Sequence, residues 1–177
     1  MMNVAVQFGR DRKMNIEIKV IPEASQRSCV SGCDWYWEQE YACDKCGLAF
    51  VERSEKRIDH ICSSCGRLMG NTEWLRVSVS PLSDWRYEVL LGIHEAFEAI
   101  LCKHNGVSQA EVDAFDLEFD KNHTDDVAAG DDPKAPYARE HCFATAAERI
   151  LAGAMGVSWE RYDRELIETY PGPRHKQ

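Results

Sequence analysis

The sequence of 177 residues contains no apolar run close to the roughly 20 residues that a membrane-spanning helix needs. Its first nineteen residues contain no apolar stretch of the kind that directs secretion. It also has no internal repeat. The absence of a glycine-rich phosphate loop excludes the nucleotide-binding folds that rely on such a loop. We therefore expect a cytoplasmic protein that has no membrane segment.

Positive charge is scarce, because 21 Lys and Arg residues stand against 30 Asp and Glu residues, giving a net charge of −9. A nucleic-acid-binding surface needs clustered cations to neutralise phosphates, so nucleic acid is not a favoured partner. With 44% hydrophobic residues the chain can build one core. Because a polar, basic segment precedes Met14, we expect residues 1–13 to be a flexible extension and residues 14–177 to form the folded domain.

Cysteine is abundant, with eight residues, and a reducing compartment makes metal binding a better explanation than disulfides for four of them. These four form two Cys-x2-Cys pairs separated by fifteen residues, and they are Cys43, Cys46, Cys62 and Cys65. This spacing predicts a closed structural Zn²⁺ site of the zinc-ribbon type, inserted over residues 41–70. Cys29 and Cys33 are expected to be free thiols in a loop, and His60 to be a neighbour of the zinc site rather than a ligand.

Aromatic and β-branched residues on both sides of the insertion predict strands over 34–38 and 74–79, paired as a hairpin with the zinc site at its tip. Residues 15–21 alternate and predict another strand. Apolar periodicity predicts helices over 83–104, from Ser108 onward, over 136–153 and over 159–170. The third helix is expected to pack through Phe143, Ala147, Ile150 and Leu151. The predicted fold class is α+β, with a small antiparallel sheet followed by a three- to four-helix bundle.

The first predicted helix carries the string His94-Glu95-Ala96-Phe97-Glu98. His94 and Glu98 are four residues apart and share one helical face, the arrangement that two ligands of one metal ion require. Glu95 is next to the first ligand and is predicted to be the general base that deprotonates a metal-bound water. The same residues on the solvent face of an amphipathic helix would have no such role, so the prediction depends on a third ligand.

We predict His141, on the third helix, as that ligand. Glu148 lies two turns further along nearly the same face, and Glu140 precedes His141. Either glutamate is expected to orient a ligand histidine through its second ring nitrogen, or to replace His141 as the ligand. Two histidines and one carboxylate leave one tetrahedral position open for water, which is typical of catalytic zinc. His104 and His123 are expected at the surface.

The His-Glu-x-x-Glu string on a helix that follows a small sheet resembles a variant of the zincin metallopeptidases. A wider set of strings resembles small uncharacterised phage and prophage proteins: Trp85-Arg86-Tyr87, His94-Glu95-x-x-Glu98-Ala99, Gly130-Asp131-Asp132-Pro133-x-Ala135-Pro136-Tyr137 and Glu140-His141. The zincin resemblance implies hydrolysis of a peptide or other amide, and the phage resemblance implies the host cytoplasm. Glu98 stands where zincins have histidine, which admits Mn²⁺ or Fe²⁺ besides Zn²⁺.

Two other functions fit the sequence. A metal-dependent phosphohydrolase would add carboxylates to His94 and His141, namely Asp116, Asp131 and Asp132, and would hold one or two ions. A non-catalytic module stabilised by zinc would bind a host protein through the ribbon and through exposed aromatic residues, namely Trp35, Tyr36 and Trp37. The substrate, the partner and the oligomeric state do not follow from the sequence.

Overall fold

The computed structural model describes residues 2–8, 12–21, 33–122 and 127–169. Within these ranges one sheet with the strand order β1-β2-β5-β3-β4 is followed by four α-helices, which confirms the α+β class. The strands are β1 Met2–Phe8, β2 Arg12–Val20, β3 Cys33–Ala42, β4 Ala49–Arg53 and β5 Gly70–Val79. The helices are α1 Trp85–Asn105, α2 Gln109–Asn122, α3 Ala138–Ala154 and α4 Trp159–Thr169, with a short 3₁₀ turn at Ala129–Asp131.

Strands β3 and β5 form the predicted hairpin. They pair antiparallel from Cys33 opposite Val79 to Ala42 opposite Gly70, and β4 pairs with the other edge of β3. The four-cysteine segment therefore leaves the sheet at the tip of this hairpin, as expected. Cys33 is the first residue of β3 and is buried, so its expected position in a loop is wrong; Cys29 lies outside the described residues.

The sheet is mixed rather than wholly antiparallel. Strand β2 pairs parallel with β5, and antiparallel with β1 on its other side. A parallel pair needs a long crossover, which β3, β4 and the ribbon supply here. The expected flexible extension over 1–13 is corrected as well, because Met2–Phe8 forms β1 and Arg12 opens β2. The alternation of apolar and polar residues in Met2–Phe8 is a strand signal that the prediction overlooked.

The core lies between the sheet and α1. Trp35 and Trp37 face it with 5% and 2% of their surface exposed, so the expected exposure of these two aromatic residues is wrong. Helix α1 approaches β2 closely at Gly92, where a Cβ atom would lie 2.6 Å from Cγ2 of Ile18. The sheet thus fixes the position of α1, the helix that carries the His-Glu-x-x-Glu string.

The remaining helices pack on α1 and on each other. The predicted capping box opens α2, since the Ser108 backbone N–H donates to the Glu111 carboxylate at 2.8 Å. Helix α3 packs along α1, and α4 buries Tyr162 beside both of them. In the described part of the chain, no helix combines the length and the apolar character needed to cross a membrane.

Candidate metal centres

The four ribbon thiols converge on one point. Sγ of Cys43 lies 3.5 Å from Sγ of Cys65, while Sγ of Cys46 lies 3.3 Å from Cys62 and 4.0 Å from Cys65. A disulfide would need about 2.05 Å. Thiolates bound to tetrahedral zinc at about 2.3 Å are about 3.8 Å apart, close to these values. The predicted donors therefore form a cluster that can hold a metal ion.

The first thiol pair lies on a tight turn. The backbone N–H of Cys43 donates to the carbonyl of Leu48 at 2.8 Å, and that of Gly47 donates to the carbonyl of Cys43 at 3.0 Å. Gly47 has a φ of 72°, in the left-handed region that glycine enters without a Cβ penalty. The backbone N–H groups of Cys46 and Lys45 are directed at the Cys43 sulfur and lower its pKa to about 6. At Cys43 the turn therefore favours the thiolate form that binds metal.

The second pair repeats this turn. The backbone N–H of Cys62 donates to the carbonyl of Arg67 at 2.8 Å, that of Gly66 donates to the carbonyl of Cys62 at 2.8 Å, and the φ of Gly66 is again 72°. Hydrogen bonding from Cys46 also lowers the pKa of Cys62. The two halves of the ribbon site are therefore built alike, each from its own short segment.

His60 lies beside this site. Its ring packs edge-on against Tyr41 and Phe50, with ring centroids 4.3 Å and 5.1 Å away, and its Nε2 lies 3.4 Å from a carboxylate oxygen of Glu52. The donor cluster itself consists of the four cysteines. The structure therefore places His60 as a neighbour of the site, where the sequence predicts it.

The second cluster joins α1 and α3. Nε2 of His94 lies 3.3 Å from Nδ1 of His141 and 3.6 Å from Oε2 of Glu98, and Nδ1 of His141 lies 2.9 Å from the same Glu98 oxygen. Nitrogen and oxygen ligands at about 2.0–2.1 Å from a tetrahedral metal are about 3.3–3.4 Å apart. The three predicted ligands thus come together at the spacing that a single divalent ion requires, and they can hold one.

Helices α1 and α3 bury polar residues around this cluster and expose apolar ones. Five ionisable side chains are at most 9% exposed, namely His94, Glu95, Glu98, Glu140 and Glu148. Phe97, Phe143 and Ile150 are 47%, 56% and 75% exposed, so the expected packing of α3 through Phe143 and Ile150 is wrong. Burying a charge costs roughly several kcal/mol unless it is paired or bound to metal. The burial of ionisable residues in place of apolar ones therefore indicates a functional site rather than a packing surface.

His94 is held by a carboxylate on the ring nitrogen that faces away from the cluster. Its Nδ1 donates to Oε2 of Glu148 at 3.0 Å, and Oε1 of Glu148 accepts a hydrogen bond from the Tyr162 hydroxyl. Because the carboxylate can only accept, Nδ1 carries a proton. In the neutral imidazole that binds a metal, the lone pair of Nε2 therefore faces the cluster. Glu140, the other predicted orienting residue, accepts a hydrogen bond from Asn105 Nδ2 at 2.5 Å.

His141 is held by the 3₁₀ turn that precedes α3. A Cβ atom at Gly130 would lie 2.4 Å from Cγ and 2.5 Å from Nδ1 of His141, so only glycine lets the backbone lie against this ring. Oδ1 of Asp131 lies 3.5 Å from Nε2 of His141, on the side opposite the cluster. The second ring nitrogen of His94 is hydrogen-bonded to a buried carboxylate, a common support for metal ligands, whereas that of His141 has only an exposed carboxylate nearby.

The electrostatics of the cluster favour a cation. Burial alone lowers the pKa of His94, but hydrogen bonds to Glu148 and Glu98 outweigh it and raise the pKa well above its usual range. Burial raises the pKa of Glu98, but hydrogen bonds from His141 and His94 outweigh it and lower the pKa to about 2. The carboxylates therefore hold positive charge between them, as protons or as a metal ion that displaces those protons.

Glu95, the predicted general base, lies on the same buried side of α1 but outside the donor cluster. Its Oε1 accepts a hydrogen bond from the Cys33 thiol at 3.0 Å. This contact joins the first residue of β3 to α1 across 62 positions of sequence. The structure therefore buries Glu95, the sequence neighbour of His94, and gives it a thiol partner that no sequence motif indicated.

The additional carboxylates of the phosphohydrolase alternative have other partners. Asp116 accepts a hydrogen bond from the Tyr137 hydroxyl, and Oδ1 of Asp132 accepts one from the backbone N–H of Lys134 at 2.8 Å. Asp131 lies near Nε2 of His141, whereas Nδ1 of that ring is the nitrogen that belongs to the cluster. Among the described residues the donor cluster contains none of the three aspartates, which disfavours a phosphohydrolase site with two ions.

Sequence reasoning missed three contributors to the helical site: Gly130, Tyr162 and Cys33. Gly130 had a signal, a glycine in a loop rich in aspartate and proline. Tyr162 and Cys33 had none, because each makes its contact with a different secondary-structure element. His104 is exposed as predicted, and His123 lies outside the described residues. Comparisons with protein-family models, with curated proteins and with solved structures find no match to this chain.

Proposed function

We propose that this protein is a metal-dependent hydrolase whose metal is held by His94, Glu98 and His141. The observation that carries the proposal is the convergence of three donor atoms at distances of 2.9–3.6 Å, with His94 and Glu98 buried. The second ring nitrogen of His94 is also hydrogen-bonded to Glu148. Three protein ligands leave a fourth tetrahedral position for water, which distinguishes catalytic from structural sites. Residues of α1 and α3 supply all three.

A divalent metal held by His94, Glu98 and His141 would polarise the carbonyl of the substrate and would lower the pKa of its bound water to about 7. Glu95 accepts the proton of the attacking water and delivers it to the leaving nitrogen when the C–N bond breaks. Glu148 would keep the Nε2 lone pair of His94 directed toward Glu98 and His141, where the metal would be held. The resemblance to zincins supports a peptide or another amide as the substrate, and Glu98 admits Mn²⁺ or Fe²⁺ as well as Zn²⁺.

The ribbon site has a different role in this proposal. Four thiolates fill every tetrahedral position of Zn²⁺, so the ion has no place for a substrate and stabilises the hairpin tip. Cysteines that serve as metal ligands must remain reduced, which supports a reducing compartment such as the cytoplasm. The protein therefore uses one metal for structure and a second for chemistry.

The test is cleavage of a mixed peptide library by the full-length chain loaded with Zn²⁺, Mn²⁺ or Fe²⁺, followed by mass spectrometry. We expect products with the wild type, none with Glu95→Gln although its metal content is unchanged, and none with His94→Ala, which loses one metal. Activity retained by Glu95→Gln would remove Glu95 from the role of base. Absence of products with every metal would withdraw the peptidase proposal.

A second candidate is a non-catalytic module that binds a host protein, and one observation favours it. Six large apolar side chains of the ribbon are at least 38% exposed, namely Leu48, Phe50, Val51, Ile58, Ile61 and Leu68. Clustered exposed apolar residues often mark an interaction surface. A wild type that holds two metals and cleaves nothing in the library would favour this candidate over the hydrolase.

A further inference from the structure

The hydroxyl of Tyr162 is the outermost group of a hydrogen-bonded chain that ends at the helical metal cluster. Tyr162 is in α4 and is fully buried, with none of its surface exposed. Its hydroxyl donates to Oε1 of Glu148 in α3, and Oε2 of the same carboxylate accepts from Nδ1 of His94 in α1 at 3.0 Å. Three helices are thus connected through one carboxylate to one donor nitrogen.

The direction of each hydrogen bond in this chain is determined. A phenol donates to a carboxylate, and the carboxylate accepts from the imidazole N–H, so the proton of neutral His94 is on Nδ1. With both oxygens of Glu148 engaged, the carboxylate cannot rotate without breaking one of the two bonds. His94 is therefore held in the tautomer and ring orientation that direct Nε2 toward Glu98 and His141.

We propose that Tyr162 is a positioning residue of the helical metal centre, and that it couples the docking of α4 to metal binding. The proposal rests on the metal-binding role of His94, Glu98 and His141 proposed above. The hydroxyl of Tyr162 donates its hydrogen bond to Glu148 and not to one of the three proposed ligands. It acts through Glu148, which it keeps in the position that orients His94.

The surroundings of Tyr162 fix its hydroxyl in place. Its ring packs 5.2 Å from Tyr87 and 5.5 Å from Trp159, measured between ring centroids. The Ser83 backbone N–H and hydroxyl each lie 2.5 Å from a carboxylate oxygen of Glu165, which ties α4 to the segment ahead of α1. Burial and then the Glu148 charge raise the pKa of Tyr162, so the hydroxyl remains a donor.

Coupling of this kind is reciprocal. If the Tyr162 hydroxyl favours the metal-bound orientation of His94, the bound metal must favour the docked state of α4 by the same factor. Metal loading should therefore reduce hydrogen exchange in Trp159–Thr169, even though the described residues of α4 contain no member of the donor cluster. Without the hydroxyl this protection should disappear, while α4 remains packed through its apolar face.

The test is chelator competition for Zn²⁺ with the full-length chain, in which the four-cysteine site serves as an internal reference. We expect Tyr162→Phe to weaken the helical site about 10-fold, within the 10- to 100-fold range typical of residues that support a metal ligand. Tyr87→Phe is the matched control, because its ring belongs to the same apolar cluster while the hydrogen bond to Glu148 comes from Tyr162. We expect Tyr87→Phe to bind as the wild type does.

A double-mutant cycle with Glu148→Gln separates positioning from packing. Adding Tyr162→Phe to Glu148→Gln should cause no further loss of affinity, since the hydroxyl acts only through that carboxylate. Equal losses in Tyr162→Phe and Tyr87→Phe, or a full additional loss in the Glu148→Gln background, would overturn the proposal. Normal metal binding without peptide hydrolysis would contradict the proposed hydrolase alone, whereas a wild type without metal at the helical site would overturn both.

Discussion

The ribbon site and the helical site both gather metal donors, but they are built in opposite ways. Each half of the ribbon site is one tight turn, and its donors lie between Cys43 and Cys65. The helical donors His94 and His141 are 47 positions apart, on helices that the sheet and α4 hold together. In the ribbon, short turns therefore position the donors and there is little core. In the helical site, packing of the core brings His94 and His141 together.

This difference predicts opposite responses to loss of metal. The ribbon has only a small buried cluster around its thiols, so we expect its fold to depend on a bound ion. The apparent binding free energy of such an ion in zinc-finger peptides is about 10–16 kcal/mol. Cys62→Ser should lose about one of two metals per chain and the amide protection of residues 43–68. Native mass spectrometry and hydrogen exchange measure both effects, which are the largest that we expect.

His94→Ala is the counterpart of that change. It should also remove one metal, yet leave the ribbon protected and α1 and α3 folded, because α1 packs on the sheet and α3 packs along α1. A His94→Ala protein that still holds two metals would eliminate the helical site and leave the ribbon as the protein's one metal centre. Loss of both metals in either variant would show that the two sites are not independent.

The same contrast explains what the sequence could reveal. The ribbon donors follow from spacing, because two Cys-x2-Cys-Gly turns carry all of their geometry within a few residues. His94 and Glu98 follow from helical spacing, and His141 from its place on a second helix. The β3–β5 hairpin is predictable as well, since aromatic and β-branched residues flank the ribbon on both sides.

Features that depend on packing between distant segments could not be predicted. The parallel pairing of β2 with β5 has no signal in either strand alone, and neither have the contacts of Cys33 with Glu95 and of Tyr162 with Glu148. The apolar pattern of α3 was misleading, because Phe143 and Ile150 face outward while Glu140 and Glu148 are buried. Periodicity locates the faces of a helix, but a buried polar site can reverse which face is inside.

The pH dependence of stability tests whether Asp116, a partly buried carboxyl group near Glu98, has a raised pKa. Burial is the largest cause that raises its pKa to about 7, with repulsion from Glu98 adding to it. Between about pH 4 and pH 7 the unfolded chain loses this proton while the folded chain keeps it, so stability falls as pH rises and levels off above pH 7. Relative to wild type, Asp116→Asn should therefore gain stability across this window.

The expected gain for Asp116→Asn is at most about 4 kcal/mol, since one pKa unit corresponds to about 1.4 kcal/mol. Urea unfolding of both proteins at several pH values measures it. Asparagine keeps a carbonyl oxygen that can accept the Tyr137 hydroxyl hydrogen bond, which makes the substitution conservative. A stability difference that does not change between pH 4 and pH 8 would contradict the assignment.

Substitution of Gly130 tests whether metal binding at the helical site depends on the close packing of the backbone against the His141 ring. Gly130→Ala places a Cβ atom 2.4 Å from the His141 ring, which must shift and carry its Nδ1 away from the cluster. We expect metal affinity at this site to fall about 10-fold or more, as for other losses of ligand support, while the ribbon metal is unaffected. Gly153→Ala in α3 is the matched control, because a Cβ atom there meets nothing within 4 Å.

Gly153→Ala should keep wild-type metal affinity and stabilise the chain by about 0.5–1 kcal/mol, because alanine loses less backbone entropy than glycine in a helix. Competition with a chelator measures the metal affinity, and thermal unfolding measures the stability. If both substitutions left affinity unchanged, the contact between Gly130 and His141 would have no role in holding the ligand. If both weakened binding, the effect would belong to α3 as a whole.

Asp131 should show the smallest effect, because its carboxylate is 64% exposed and lies 3.5 Å from Nε2 of His141. Water screens such a pair, so we expect Asp131→Asn to weaken metal binding only a few-fold, corresponding to at most about 1 kcal/mol. Asp132→Asn is the control, since that carboxylate accepts the Lys134 backbone N–H instead. High salt should narrow the gap between Asp131→Asn and wild type, because salt screens exposed charges. A loss as large as that of Glu148→Gln would mean that Asp131 is desolvated when metal binds, so that the two histidines are supported equally.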